Sequence, residues 1–133
     1  MLLRRSTAHL GLSLLLCGPL VASAMAYKWP GDQPSLGSAV AAKVIGQQCK
    51  GVLSAAELGE LDAYLSKAAD ELGQRQSKVS AADDGYRSPT PAAIMQLLTE
   101  TYTTKYRDPR ACNDDATEEA RDTLDKVRKA GNR

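Results

Sequence analysis

The placement of the cysteines constrains this chain more than any other feature. Of three cysteines, Cys17 lies in an N-terminal apolar run, while Cys49 and Cys112 stand far apart in the rest of the sequence. Residues 1–26 have the layout of a secretory signal. Arg4 and Arg5 form a positive start, Leu10 to Leu16 an apolar core, Gly18-Pro19 a break, and Ala24-Met25-Ala26 a small-x-small cleavage site. Cleavage after Ala26 leaves a mature chain that starts at Tyr27, and Ala22-Ser23-Ala24 offers an earlier cut after Ala24. The apolar run is well short of the roughly 20 residues that a membrane span needs. The stretch after Arg4-Arg5 lacks the apolar residue of the twin-arginine route, and Leu16 is not the small residue that precedes a lipidated cysteine such as Cys17 would be. The expected address is therefore the bacterial periplasm or the medium, with no integral membrane span after cleavage.

Export decides the chemistry of the two remaining cysteines, because thiols in an oxidising compartment pair. The competing roles fail on composition. A zinc site takes four ligands, commonly Cys or His, and the only histidine, His9, belongs to the signal. No Cys-x-x-Cys is present for redox work or haem attachment, and a cysteine nucleophile would lack the usual histidine base. A structural disulfide between Cys49 and Cys112 is expected, with no metal and no cofactor.

The same cut changes the charge balance. Losing Arg4 and Arg5 leaves 15 basic side chains against the chain's 16 acidic ones. That near-neutral balance is not the clustered basic footprint of a nucleic-acid binder.

The rest reads as helices. Tyr27 to Ser35, with Pro30, Gly31 and Pro34, is an extended lead-in carrying Trp29, the single tryptophan, whose commonest role would be to anchor the lead-in on the helices. A first, Ala-rich helix spans about 35–49, with Ile45 and Cys49 four apart and facing inward, and Gly51 suits the turn beyond it. Ser54-Ala-Ala-Glu57 is a capping box flanked by Leu53 and Leu58, which fit a hydrophobic staple. The helix it opens, about 54–74, repeats Leu58, Leu61, Leu65, Ala68 and Leu72 at threes and fours, one apolar stripe. The polar stretch 74–88, with Asp84-Gly85, reads as a loop. Its paired aspartates lack the spacing and the final glutamate of a calcium loop. Thr90-Pro91 restarts a helix over about 90–107, with Met95, Leu98, Tyr102 and Tyr106 in register, and Asp108-Pro109 stops it. A last helix, about 114–130, opens on carboxylates with a box-like Asp115/Glu118 pair and closes on Lys126, Arg128 and Lys129, as the macrodipole favours.

No stretch alternates as a strand would. The fold class expected is all-α, a small four-helix bundle-like domain after the signal, closed by one disulfide. Its core should comprise Ile45, Leu58, Leu61, Leu65, Leu72, Leu98, Tyr102, Leu124 and Val127. The chain has no phenylalanine, so this core is thin in large side chains.

Function is less legible. Without histidine in the mature chain, Ser-His-Asp and Cys-His arrangements are excluded, and no Gly-rich phosphate loop appears. Carboxylate pairs such as Glu57 and Glu60 are explained by capping and by surface positions. The expectation is an exported protein that acts by binding a protein partner in the cell envelope, as an inhibitor or immunity factor or as an accessory subunit, rather than by catalysis. Trp29, Tyr86 and Tyr106, with the Tyr86–Pro91 loop, are the candidate contact residues. The alternative is a stress chaperone: a small exported helical chain with one long-range disulfide and a charged last helix resembles periplasmic acid-stress chaperones in architecture, although no residue motif here matches them.

Overall fold

The computed structural model describes residues 33–82 and 89–132. The expected export signal, Trp29, Asp84-Gly85 and Tyr86 lie outside these residues. Four α-helices, and no strand among the described residues, make up the fold: α1 (Leu36–Gln48), α2 (Ala55–Ala82), α3 (Pro91–Tyr106) and α4 (Asp114–Gly131), with a short 3-10 turn at Pro109–Ala111 between the last two.

The four helices are not equivalent. α1 packs against α2, α3 and α4, each more extensively than those three pack against one another. Its sequence explains this role. Leu36, Ala39, Val40, Ala41, Ala42, Val44 and Ile45 are all buried, and their positions go round the helix rather than down one stripe. A helix that is apolar all round must be covered on every side, and the alanines let three neighbours approach closely. The expected bundle is thus four helices arranged as three around one. Lys43 interrupts the apolar run and reaches Asp62 of α2 at 2.6 Å.

Gly46 has a packing role of its own. A Cβ there would stand 2.8 Å from methyl carbons of both Leu53 and Leu58, so the glycine admits the two residues that staple the start of α2. Gly51, two residues beyond the Cys49 cap, turns the chain with φ of +77°, a conformation that costs glycine little.

The capping box forms as its sequence implies. The Glu57 N–H donates to Ser54 Oγ at 3.1 Å, and the Ser54 N–H donates to Glu57 Oε1 at 3.0 Å. Ser54→Ala should cost about 1 kcal/mol, read as a lower denaturation midpoint with an unchanged slope. No change would mean that the box is redundant.

α2 continues to Ala82, eight residues past the expected end at Gln74. The polarity of this stretch looked like a loop, but it contains no Gly or Pro and is built largely from Gln, Arg, Lys and Ala, which are good helix formers. Gln76 Nε2 donates to the Pro89 carbonyl at 2.9 Å, tying this extension to the approach of α3. In the α2 stripe Leu61, Leu65 and Ala68 are buried, whereas Leu58 and Leu72 are half-buried, since they lie towards the ends of the packed segment.

α3 starts at Thr90, whose Oγ1 accepts from the Ala93 N–H at 3.2 Å, with Pro91 at the first helical position. Leu98 and Tyr106 are buried, and Tyr102, expected in the core, sits half-exposed at its rim. Asp108 caps the 3-10 turn by accepting from the Arg110 N–H at 3.0 Å. The cap of α4 is Asn113, not the Asp115/Glu118 pair: Asn113 Oδ1 accepts from the Ala116 N–H at 3.0 Å. An uncharged amide in the extended conformation just before the helix does this, which leaves Asp114 and Asp115 in the first turn as partners of the dipole. On α4, Ala116, Ala120, Thr123, Leu124 and Val127 face the core.

Cys49 and Cys112 stand at disulfide distance, Sγ to Sγ 2.02 Å and Cα to Cα 5.5 Å. The pair joins the end of the central helix to the residue before the Asn113 cap.

Candidate functional site

Between the first half of α2 and the last turns of α4 the surface opens into a cleft of about 590 Å³. Three facts place it there. α2 and α4 make fewer direct contacts with each other than either makes with α1. Two of the residues that line it, Ala63 of α2 and Ala130 of α4, are small. Gln33, before α1, adds to its wall.

The floor is apolar: Tyr64 and Ala68 from α2, Val127 from α4. The rim is charged, with Glu60, Lys67 and Glu71 on one side and Arg128 on the other. Arg128 donates to Glu60 through Nη2 at 2.9 Å and through Nε at 3.2 Å, a fork that fits a carboxylate. Glu57, one turn earlier and only 16% exposed, accepts from Arg121 Nη1 at 2.8 Å. Its carboxyl is held below the usual range, first by the Ser54 N–H and then by the Ser54 hydroxyl and the nearby Arg121 and Arg128. This ion network closes one end of the seam between α2 and α4 and leaves the cleft open beyond it.

Tyr64 is the hinge-pin of the site. Its hydroxyl donates to the Pro34 carbonyl at 2.6 Å, holding the start of the described chain against α2. Burial, with Glu71 nearby, pushes its phenol up to about 12. A raised folded-state value favours the neutral phenol, so its contribution to stability is intact below the ordinary value of 10 and is lost as pH rises towards 12. A phenolate absorbance titration should show Tyr64 ionising late, together with Tyr102, whose phenol burial also raises, and Tyr64→Phe should remove one of those late steps. A titration without a late step would show the phenol to be open to solvent.

The aromatic residues expected to meet a partner are not brought together. Tyr106 is buried, 3% exposed, on the α3 stripe that also carries Leu98, so its side chain is not on the open surface. Trp29 and Tyr86 lie outside the described residues. Tyr64, Lys67 and Arg128 were not singled out by sequence, although Tyr64 is the one aromatic of α2 and lies off the Leu61–Leu65 stripe.

Among the described residues no three His, Cys, Asp or Glu side chains are grouped to hold a metal ion. Nor is any described helix long and apolar enough to cross a membrane. No family model, curated protein or solved structure matches the chain.

Proposed function

We propose that this protein is exported through residues 1–26 and acts in the cell envelope by binding, with a segment of a partner protein seated in the α2–α4 cleft. The cleft itself carries the reading. Its volume of about 590 Å³ falls within the range of pockets that enclose a ligand, about 300–1,000 Å³, and its apolar floor within a charged rim suits an apolar side chain flanked by polar backbone. The walls are regular helices packed on α1, so the site is formed before a partner arrives. Cys49 and Cys112 add a covalent tie between α1 and the root of α4. Such a scaffold suits an inhibitor, an immunity factor or an accessory subunit, whose work is to present a fixed surface.

A photo-crosslinking residue at position 63 of the exported protein tests this in intact cells. One or a few discrete adducts are expected, lost when Ala130→Arg fills the cleft and absent when the crosslinker replaces Ala92, on the exposed face of α3. Equal labelling from positions 63 and 92 would remove the cleft as the site. A broad smear of many envelope proteins would favour the chaperone alternative.

A further inference from the structure

We infer that the partner segment is anchored in the cleft by a basic side chain, a lysine or arginine whose aliphatic stem lies on Tyr64 and whose cation is received between the Glu71 carboxylate and the carbonyl end of α4. The cation seat stands on the geometry of the cleft; that it serves a partner protein rests on the function proposed above.

The direction of the two walls comes first. Their ion pairs run in the same order along both helices, Glu57 with Arg121 and Glu60 with Arg128, so α2 and α4 point the same way. α4 ends at Gly131, whereas α2 continues beyond Glu60 for several more turns, to Ala82. The cleft lies where α4 stops: Ala130, Gly131 and Asn132 line it together with Tyr64, Lys67 and Glu71. The Arg128 carbonyl accepts from the capping Asn132 N–H. The carbonyls after it lie beyond the intrahelical ladder and carry the partial negative charge of the macrodipole towards the opening.

The unspent charge comes second. Arg128 and Glu60 neutralise each other across the rim at 2.9 Å. Lys67 and Glu71 share one face of α2, a turn apart, yet neither has a hydrogen bond or ion pair among the described residues. Lys67 is exposed, and its ammonium can stay in water at the end of its stem. Glu71 is half-buried, and its charge is one reason that the Tyr64 phenol resists ionisation. A carboxylate near Tyr64 thus meets the same space as the α4 carbonyls. Both are negative, so the group that satisfies them together is a cation with N–H donors.

Shape comes third. Ala63 and Ala130 are short, and Tyr64 presents a half-buried ring between them and Glu71. An aromatic ring attracts a cation that lies over it. Lysine and arginine combine an aliphatic stem with a charged tip, so the stem supplies the apolar part that the cleft takes. A plain apolar side chain would leave Glu71 unanswered, and an acidic one would meet like charge there.

Blocked single residues are the probes: the N-acetyl methylamides of lysine, arginine, norleucine and glutamate. Each is titrated into the isotope-labelled, disulfide-bonded protein and followed through the backbone amide signals of Tyr64, Glu71 and Gly131. The lysine or the arginine probe should shift these signals saturably. Norleucine, which keeps the stem and lacks the charge, should bind far more weakly. Glu71→Gln should weaken the cationic probe about tenfold or more, the size expected for a hydrogen bond to a charged group. Glu118→Gln, exposed near the start of α4, should leave binding unchanged, and both variants should keep the helical circular dichroism. No saturable shift with either cation, equal binding of norleucine, or full binding by Glu71→Gln would overturn the inference. So would a glutamate probe that binds and is lost on Lys67→Gln. In each of those cases a discrete crosslink from position 63 would keep the partner reading, with a different anchor. Conversely, cation binding that depends on Glu71, with no discrete adduct, would uphold the seat and overturn the partner reading.

Discussion

Replacing either Cys49 or Cys112 with alanine should lower the stability of the disulfide-bonded protein by about 4 kcal/mol, and the double variant should cost little more than either alone. The size follows from the closed loop: the two residues are 63 apart in sequence, and the chain-entropy model assigns a loop of that length about 4 kcal/mol at room temperature. Against a net stability of about 5–15 kcal/mol for a typical domain, that is enough to bring a small domain close to unfolding. The non-additivity matters as much as the size, because both substitutions remove the same covalent link. Packing adds a smaller difference between them: Cys49 is buried in the core cluster and Cys112 is only packed against it, so the Cys49 variant should be slightly the worse. Urea titrations of the three variants and of the reduced wild type measure all of this. Additive single effects, or two free thiols by mass spectrometry of the protein purified without reductant, would overturn the intramolecular bridge.

The helices were legible in the sequence wherever a local signal with its own hydrogen bonds marked them. Ser54/Glu57 and Thr90-Pro91 behave as isolated capping motifs do, and Asp108-Pro109 stops α3 for reasons contained in the dipeptide. Failures arose where two local signals competed. Gln74 to Ala82 is polar enough for a loop and also helix-favouring, and helix propensity together with the Gln76–Pro89 hydrogen bond prevails. At α4 a Ser/Thr/Asp-x-x-Glu pattern at Asp115 competed with Asn113, and backbone conformation just outside the helix decided for the asparagine.

The central position of α1 was half visible. Its alanines and β-branched residues mark burial, but only the packing of the other three helices shows that every face is covered. The cleft was not legible at all. It is lined by residues of α2 and α4 that are distant in sequence, small Ala63 and Ala130 among them, and a gap between two helices leaves no mark in either segment. The burial of Tyr106 was ambiguous for a related reason. An aromatic at the end of a helical stripe suits core and surface equally, and its rotation is fixed by neighbours that the stripe does not name.

The packing around α1 sets the second large effect. Ile45→Ala should destabilise the protein by about 2–5 kcal/mol, in the upper part of that range. Ile45 has no exposed surface and is among the largest fully buried side chains of the molecule. It lies four residues before Cys49, on the same side of α1, and that helix is enclosed by α2, α3 and α4. A cavity there can shrink only if a surrounding helix moves inward, and α4 is tied at its root through Cys112. Alanine is the better helix former, which returns at most about 0.7 kcal/mol and cannot cancel the loss. Leu58→Ala provides the comparison. Leu58 is half-buried beside Gly46, so part of its surface meets water already and the space it leaves opens towards solvent. Its cost should fall below that of Ile45→Ala, although both remove apolar groups of similar size. Ile45→Val should cost about 0.5–1.5 kcal/mol. Denaturation of the three variants with the disulfide intact gives the order directly. A larger loss for Leu58 than for Ile45 would mean that α1 is not the enclosed centre of the fold, and that the helices pack as a bundle of equivalent members instead.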